Sequence, residues 1–258
     1  MVFLTFVSCI AYIISLGCQA VQLLRFRKNL YLAFKLTSIL SISCHGYLLY
    51  RLIETPSGQN LDGFILLSMM FWLLNISILL FSNLSKIENL ALFAYPLTIG
   101  VLLLSAFYAH HDIVETKDFP GMVSHILISL LATSTLCLAC MQSLLFGFQH
   151  YKLRNPSQSR LLKLLPPLQT METLVFRFVW SGVLCLSFAL LSGIWFQYRH
   201  PELSHQPEII LSFVAWFVLV GLLSGRYVLG WRAQTAVWGT TSGFALIFIS
   251  YFGTKILL

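Results

Sequence analysis

The sequence predicts an all-α protein that crosses a membrane as a polytopic bundle of about eight helices. Of its 258 residues, 58% are hydrophobic and only 10% are charged. A soluble domain carries about 25% charged residues, so this chain lacks the polar surface to cover itself in water. Apolar runs of roughly 20 residues recur along the chain, and a helix of that length spans the hydrocarbon core of a bilayer. The lipid bilayer is therefore a predicted partner.

Eight apolar runs define the predicted helices, at residues 2–24, 30–53, 63–82, 90–109, 121–148, 178–198, 209–226 and 235–257. The first run has neither a basic segment before it nor a small-residue cleavage site after it. We therefore interpret it as a retained helix rather than a signal peptide. In the last run, Gly239 and Gly243 form a G-x-x-x-G pattern, which favours close helix packing. We interpret residues 1–258 as a single integral membrane domain.

The basic residues predict the orientation of the helices. One set of connections carries twelve basic and two acidic residues, whereas the opposite set carries four basic and seven acidic residues. Because cytoplasmic loops are enriched in Lys and Arg, we expect both termini on the outer, periplasmic side and a basic cytoplasmic loop at about residues 149–177. The net charge of +7 then reflects topology and contact with anionic lipid. We expect no nucleic-acid partner, since no binding motif groups these residues.

Two histidines lie inside predicted helices at similar depths. At a rise of ~1.5 Å per residue, His45 is about 12 Å from the outer end of the second helix and His125 about 6 Å into the fifth. An ionisable residue within a membrane indicates a functional site. Imidazole is a common axial ligand of haem iron, so we predict a haem site with both histidines as iron ligands. Arg51, at the outer rim, is available to pair with haem propionates.

Other readings of the histidines and of the chain stay open at this point. Each ring by itself is also consistent with a neutral imidazole that donates one hydrogen bond to a neighbouring carbonyl. The sequence contains no H-E-x-x-H, G-x-S-x-G, P-loop or Rossmann glycine pattern, so we predict no enzyme of those classes. No acidic residue lies deep in a predicted helix, which argues against a transporter with a proton relay.

Several segments carry a resemblance to a known family, among them "CHGYLLYRLIETPSGQNLDGFILLSMMFW", "PGMVSHILISLLATS", "FVAWFVLVGLLSGRYVLGWRAQTAVW" and "GFALIFISYFG". Over nearly its whole length the chain resembles the cytochrome c assembly family, which includes the CcsA, CcmC and HemX types. It is most similar to a short subgroup of inner-membrane proteins within that family. The combination of G-W-R with a following aromatic Y-F-G helix is the more specific part of the resemblance.

The resemblance implies a multi-pass protein of the bacterial inner membrane that binds or handles haem, expected as b-type, and assists cytochrome c assembly. In the family, haem is held or passed by histidines. His45 matches the membrane histidine before the "P…N" outer loop, and His125 matches the histidine that begins the helix before the large cytoplasmic loop. The implied partners are haem and cytochrome c assembly proteins or another membrane protein.

Two departures from the family pattern change this expectation. The tryptophan-rich WWD signature is replaced by "YRHPELSHQPEI", in which His200 or His205 offers a substitute outer ligand. Arg226 stands where the family has a histidine. We therefore do not expect haem lyase activity, and more generally no enzyme. The alternatives are a non-haem accessory or regulatory membrane subunit that keeps the family fold, and a small-solute or ion transporter.

Overall fold

A computed structural model of the chain describes residues 2–25, 29–82, 87–110, 112–114, 121–154, 165–199 and 206–253. It contains the α-helices α1 (Val2–Arg25), α2 (Asn29–Ile53), α3 (Gly63–Phe81), α4 (Ala91–Tyr108), α5 (Met122–Arg154), α6 (Leu168–Arg199), α7 (Gln206–Val228) and α8 (Gln234–Phe248). A 3₁₀ turn (Glu88–Leu90) precedes α4, and a π-helical turn (Ile249–Gly253) follows α8. With these turns, the described residues contain eight helical segments that are long and apolar enough to cross a membrane. The predicted eight-helix membrane fold is confirmed.

The helices on either side of the predicted basic loop are longer than their apolar runs. The run that predicts the sixth helix begins at residue 178, whereas α6 begins at Leu168. Likewise α5 continues to Arg154, so both helices extend into the predicted loop at 149–177. A helix satisfies its backbone hydrogen bonds internally and can therefore continue beyond the hydrocarbon region. The apolar run marks only the part of the helix that lipid would surround.

A small antiparallel sheet, which the all-α prediction did not include, lies in the connections beyond α2 and α4. It consists of β1 (Glu54–Thr55), β2 (Gly58–Asn60) and β3 (Ile113–Val114), in the order β1-β2-β3. Strands of two or three residues are too short to show an alternating hydrophobic pattern. Gly58 has a φ of +146°, a conformation that favours glycine, and it begins β2 directly after the turn.

Hydrogen bonds of the Asn60 and Asp62 side chains, here called the Asp62 latch, join this sheet to the start of α3. Asp62 Oδ1 accepts hydrogen bonds from the backbone N–H groups of Phe64 and Ile65, and so caps α3. Its other oxygen accepts from the backbone N–H of His110, at 3.0 Å. The Asn60 side chain accepts from the N–H of Asp112 at 3.1 Å. The two connections of this part of the chain are thereby tied to each other.

Contacts between residues divide the chain into two compact units, unit 1 (Met1–Pro120) and unit 2 (Gly121–Leu258). In unit 1, α1 packs on α2, α2 on α3, α3 on α4, and α4 on α1. Unit 2 has the same arrangement, with α5 on α6, α6 on α7, α7 on α8, and α8 on α5. Each unit is therefore a closed ring of four helices. That residues 1–258 act as a single domain stays a prediction.

The G-x-x-x-G pattern in α8 marks a close contact within unit 2. A Cβ atom built on Gly243 would lie 2.5 Å from Cδ2 of Leu219 on α7, and one built on Gly239 would lie 2.8 Å from Cδ1 of Leu222. Such distances are shorter than van der Waals contact, so larger residues would push α7 and α8 apart. The close packing that the pattern predicts is confirmed.

Candidate functional site

His45 lies in the interior of unit 1 with both ring nitrogens hydrogen-bonded. It is on α2, eight residues before the helix ends at Ile53, and its side chain is fully buried. Its Nδ1 atom is 3.1 Å from the hydroxyl of Tyr12 on α1, and its Nε2 atom is 3.0 Å from the hydroxyl of Ser68 on α3. The ring therefore connects three helices of the unit.

The hydrogen-bonding groups around His45 engage both ring nitrogens in either neutral tautomer. Asn75 Nδ2 donates to Tyr12 Oη at 3.4 Å and to the hydroxyl of Thr98 at 2.8 Å. Each of the Tyr12 and Ser68 hydroxyls can donate to the ring or accept from it, according to which ring nitrogen carries the proton. In either tautomer the neutral ring has no free lone pair.

A second buried polar cluster lies beside the first. The hydroxyls of Ser15 and Ser38 are 2.8 Å apart, and Tyr95 Oη donates to the Ser38 hydroxyl at 2.8 Å. The rings of Tyr12 and Tyr95 meet edge to face, with their centroids 5.1 Å apart. A buried polar group in a membrane protein is costly unless it is hydrogen-bonded, so these clusters fix how the helices of unit 1 pack.

Sequence reasoning missed this polar interior because it followed ionisable residues. On α1 the fully buried polar side chains are Ser8, Tyr12, Ser15 and Gln19, at intervals of three or four residues. Residues at those intervals share one face of a helix. The signal was therefore present in the sequence, as a stripe of uncharged polar residues on an otherwise apolar helix.

His45 does not fit an iron ligand in the conformation described. A histidine ligand binds the metal through a nitrogen lone pair, and its ring must face a space that the metal can enter. The His45 ring is fully buried, and both nitrogens are engaged. To bind haem iron it would have to release Tyr12 or Ser68. That His45 is a haem ligand stays a prediction.

His125 differs from His45 in its hydrogen bonding. It is half-buried near the start of α5, and its Nδ1 is 2.9 Å from the hydroxyl of Ser192 on α6. That hydroxyl donates to the backbone carbonyl of Ala189 at 2.9 Å, so it can accept from a protonated Nδ1 of His125. The Ala189 carbonyl also lies within hydrogen-bonding reach of the His125 ring. In the tautomer that carries the proton on Nδ1, the ring's lone pair is on Nε2.

A close approach of α6 holds the His125 ring in place. A Cβ atom on Gly193 would lie 3.0 Å from Cε1 of His125, so the ring packs directly against the helix backbone there. Histidine ligands of metals typically donate their other N–H to an oxygen, and this orients the ring. His125 with Ser192 has this arrangement in the tautomer that donates from Nδ1. The chemistry of these residues therefore fits a haem ligand.

The remaining predicted ligands and propionate partners are only partly described. Arg51 is exposed near the end of α2, and its Nη1 donates to the Tyr47 hydroxyl at 3.4 Å. Its pairing with a haem propionate stays a prediction. His200 and His205, with half of the segment that replaces the tryptophan-rich signature, lie outside the described residues.

Arg226, at the position where the resemblance leads to the expectation of a histidine, is held inside unit 2. Its Nη1 atom donates to Glu172 Oε1 at 2.8 Å, and its guanidinium lies 4.5 Å from the centroid of the Phe176 ring. Arginine has five N–H donors and no acceptor, so it cannot ligate iron as the family histidine would. An arginine in an ion pair therefore occupies the position where a metal-binding histidine was expected.

Comparison with known proteins places the chain in a family. The model of the family described as "Cytochrome C assembly protein" matches residues 32–258. Proteins named "Inner membrane protein YpjD" from Escherichia coli K12 and Escherichia coli O157:H7 are each 27% identical to this chain over 252 residues, which cover 97% of this chain and 95% of the relative. No solved structure matches it. The resemblance read from the sequence is confirmed, and the chain belongs to the cytochrome c assembly family.

Proposed function

We propose that this protein binds or hands on haem in the bacterial inner membrane and assists cytochrome c assembly, with His125 as an iron ligand. The observation that supports the proposal is the hydrogen bonding of the His125 ring. Its Nδ1 lies 2.9 Å from the Ser192 hydroxyl, and the tautomer that donates from Nδ1 to this hydroxyl leaves a lone pair on Nε2. Membership of the cytochrome c assembly family and the inner-membrane relatives give the expected context.

Haem iron, when bound, would supply a Lewis-acid centre for an imidazole lone pair. The contribution of the chain is to present that lone pair in a fixed orientation. Ser192 accepts the opposite N–H of His125 and so stabilises the tautomer that can ligate. Gly193 allows the ring to lie against α6. We propose b-type haem, held without a covalent link.

We propose that His45 acts first as a structural residue of unit 1. Its hydrogen bonds to Tyr12 and Ser68 hold three helices together, and a ligand role would need one of them to break. Haem ligation by His45 is then limited to a rearranged state of the unit. The two histidines therefore have separable roles, and variants of each can distinguish them.

The test is the absorption spectrum of the full-length protein purified after expression with added haem. We expect a Soret band in the wild type that His125→Ala removes. His110→Ala is the matched control, because the side chain of His110 is 85% exposed. We expect His45→Ala to lower the melting temperature while leaving a Soret band in the protein that remains folded. A wild type without a Soret band, or a His125→Ala variant with an unchanged one, would contradict the proposal.

A second candidate function is a non-haem accessory or regulatory membrane subunit. The hydrogen-bond network around His45 favours this function, because a purely structural role in that network is enough to explain a buried histidine. The missing tryptophan-rich signature also favours it. Under this function, a variant with both His125→Ala and His45→Gln supports cytochrome c assembly in cells as well as the wild type does, at equal protein levels. A loss of assembly in that variant excludes it.

A further inference from the structure

A cavity of about 540 Å³ lies in unit 2, where the last turns of α5 and α7 meet the first turns of α6 and α8. Its polar lining includes His150, Glu172, Arg226 and Arg232, and its apolar lining includes Phe146 and Leu168. Cavities of roughly 300–1,000 Å³ are the usual size for small ligands. The positive-inside distribution predicts that this end of the unit faces the cytoplasm.

The charges that line the cavity leave a positive excess. Among the described residues of the lining, Glu172 is the one carboxylate, and it is paired with Arg226 at 2.8 Å. That leaves the Arg232 guanidinium, which has no ion-pair partner among the described parts of the chain. The imidazole of His150 lies on the same lining and offers a further N–H donor. An anion is therefore the class of ligand that this lining would attract.

The segment that carries Arg232 is held by several interactions. Arg226 Nη1 donates to the backbone carbonyl of Trp231 at 3.3 Å, and the Trp231 N–H donates to the Gly225 carbonyl at 3.1 Å. A Cβ atom on Gly225 would overlap the Trp231 ring, so only glycine lets the indole pack this closely. The carbonyl of Arg232 accepts from the N–H of Thr235 at 3.2 Å. The backbone that presents the Arg232 guanidinium is thereby fixed.

We propose that this cavity binds a phosphate group, with Arg232 making the charged contact. A guanidinium presents paired N–H donors that match phosphate oxygens. Anionic phospholipids are abundant where the cytoplasmic end of a membrane protein meets the bilayer, and their glycerol carbons suit an apolar wall such as that of Phe146 and Leu168. The phosphate can also belong to a soluble phosphate ester, and the experiment distinguishes the two sources. The proposal is independent of haem binding.

The test compares lipids retained by the full-length chain. The protein is reconstituted in phosphatidylcholine nanodiscs with a minor fraction of phosphatidylglycerol, released, and examined by native mass spectrometry. We expect Arg232→Gln to reduce phosphatidylglycerol retention about fivefold, the effect of one cationic contact near a membrane surface. The matched control is Arg177→Gln, because Arg177 is exposed on α6 near the same end but does not line the cavity. We expect this control to retain the lipid.

A second arm adds glycerol 3-phosphate to protein in phosphatidylcholine nanodiscs and measures binding by calorimetry. Binding of this soluble ester that Arg232→Gln abolishes would support the site and assign it to soluble phosphates. Equal losses in the Arg232→Gln and Arg177→Gln variants would overturn the proposal, since they indicate general surface charge. It would also be overturned if neither probe bound in a way that depends on Arg232. Melting temperatures of the variants equal to that of the wild type exclude misfolding as the cause.

Discussion

The phenol of Tyr12 and the imidazole of His45 form a hydrogen bond between α1 and α2, with Oη 3.1 Å from Nδ1. Their rings meet edge to face at 84°, with centroids 5.8 Å apart. The same hydroxyl accepts from Asn75 on α3. A single oxygen thus joins three of the four helices of unit 1, and the tyrosine rather than the histidine is the centre of the polar interior.

Replacing the central hydroxyl should destabilise unit 1. In Tyr12→Phe the ring still fills its space, but the Nδ1 atom of His45 and one N–H of Asn75 lose their partner. Hydrogen bonds within membrane proteins contribute about 0.6 kcal/mol on average and up to about 1.7 kcal/mol. Because two are lost here, we expect a decrease of about 1–2 kcal/mol in the free energy of unfolding, measured by denaturant titration in detergent. Tyr50→Phe, at an exposed tyrosine of α2, serves as the control and should change little. Equal stability of the Tyr12→Phe variant and the wild type would contradict the central role of this hydroxyl.

The stability contributed by the Asp62 latch at the start of α3 should depend on the carboxylate of Asp62. In Asp62→Ala the helix loses its N-cap and the backbone N–H of His110 loses its acceptor. Loss of an N-cap costs about 0.5–2 kcal/mol. We expect Asp62→Ala to reduce the free energy of unfolding by about 1–2 kcal/mol and Asp62→Asn, which keeps a capping oxygen, by less. Glu54→Ala is the control at an exposed acid of the same connections. The expectation fails if Asn and Ala have the same effect.

The close packing of α8 on α7 should tolerate no added methyl group at Gly243. A Cβ there would overlap Leu219, whose side chain is fully buried and has little room to move. Overpacking of this kind costs about 1–3 kcal/mol. We expect Gly243→Ala to lower the melting temperature and Gly221→Ala, with no heavy atom within 4 Å of the new Cβ, to leave it unchanged or raise it slightly. Equal melting temperatures for the two variants would show that the contact is not needed.

The orientation predicted from the basic residues can be tested by labelling. In a variant whose six native cysteines are replaced, single cysteines are introduced as Ser57→Cys and Ser157→Cys. We expect a membrane-impermeant maleimide to label Ser57→Cys in spheroplasts, and to label Ser157→Cys only after the inner membrane is permeabilised. The reverse pattern would place both termini in the cytoplasm and overturn the predicted topology.

The helices could be predicted well where a physical boundary coincides with a change in composition. The predicted third helix begins at residue 63, and α3 begins at Gly63, because Asp62 ends the polar loop and caps the apolar run. The start of α6 at Leu168 could not be read in the same way. Its first turns carry Glu172 and Arg177, and their polarity resembles a loop even though their backbone is helical.

The sequence analysis predicted the same role, haem ligation, for His45 and His125, because it compared only their residue type and their depth in the membrane. Their environments differ through contacts made by distant parts of the chain. His45 meets Tyr12 and Ser68, which lie 33 and 23 residues away, whereas His125 meets Ser192 at a separation of 67 residues. Which nitrogen keeps a lone pair depends on those partners.

The sequence by itself determined that this chain is an eight-helix membrane protein, since apolar length and composition must satisfy the bilayer wherever the helices pack. Its motifs also carried the resemblance to the cytochrome c assembly family. Only the tertiary structure decided which partners the buried polar side chains of unit 1 contact, that His45 is engaged at both nitrogens, and that Arg226 is paired with Glu172. Hydrogen bonds depend on direction and on distances of about 3 Å, and these are set when helices far apart in the sequence are brought together.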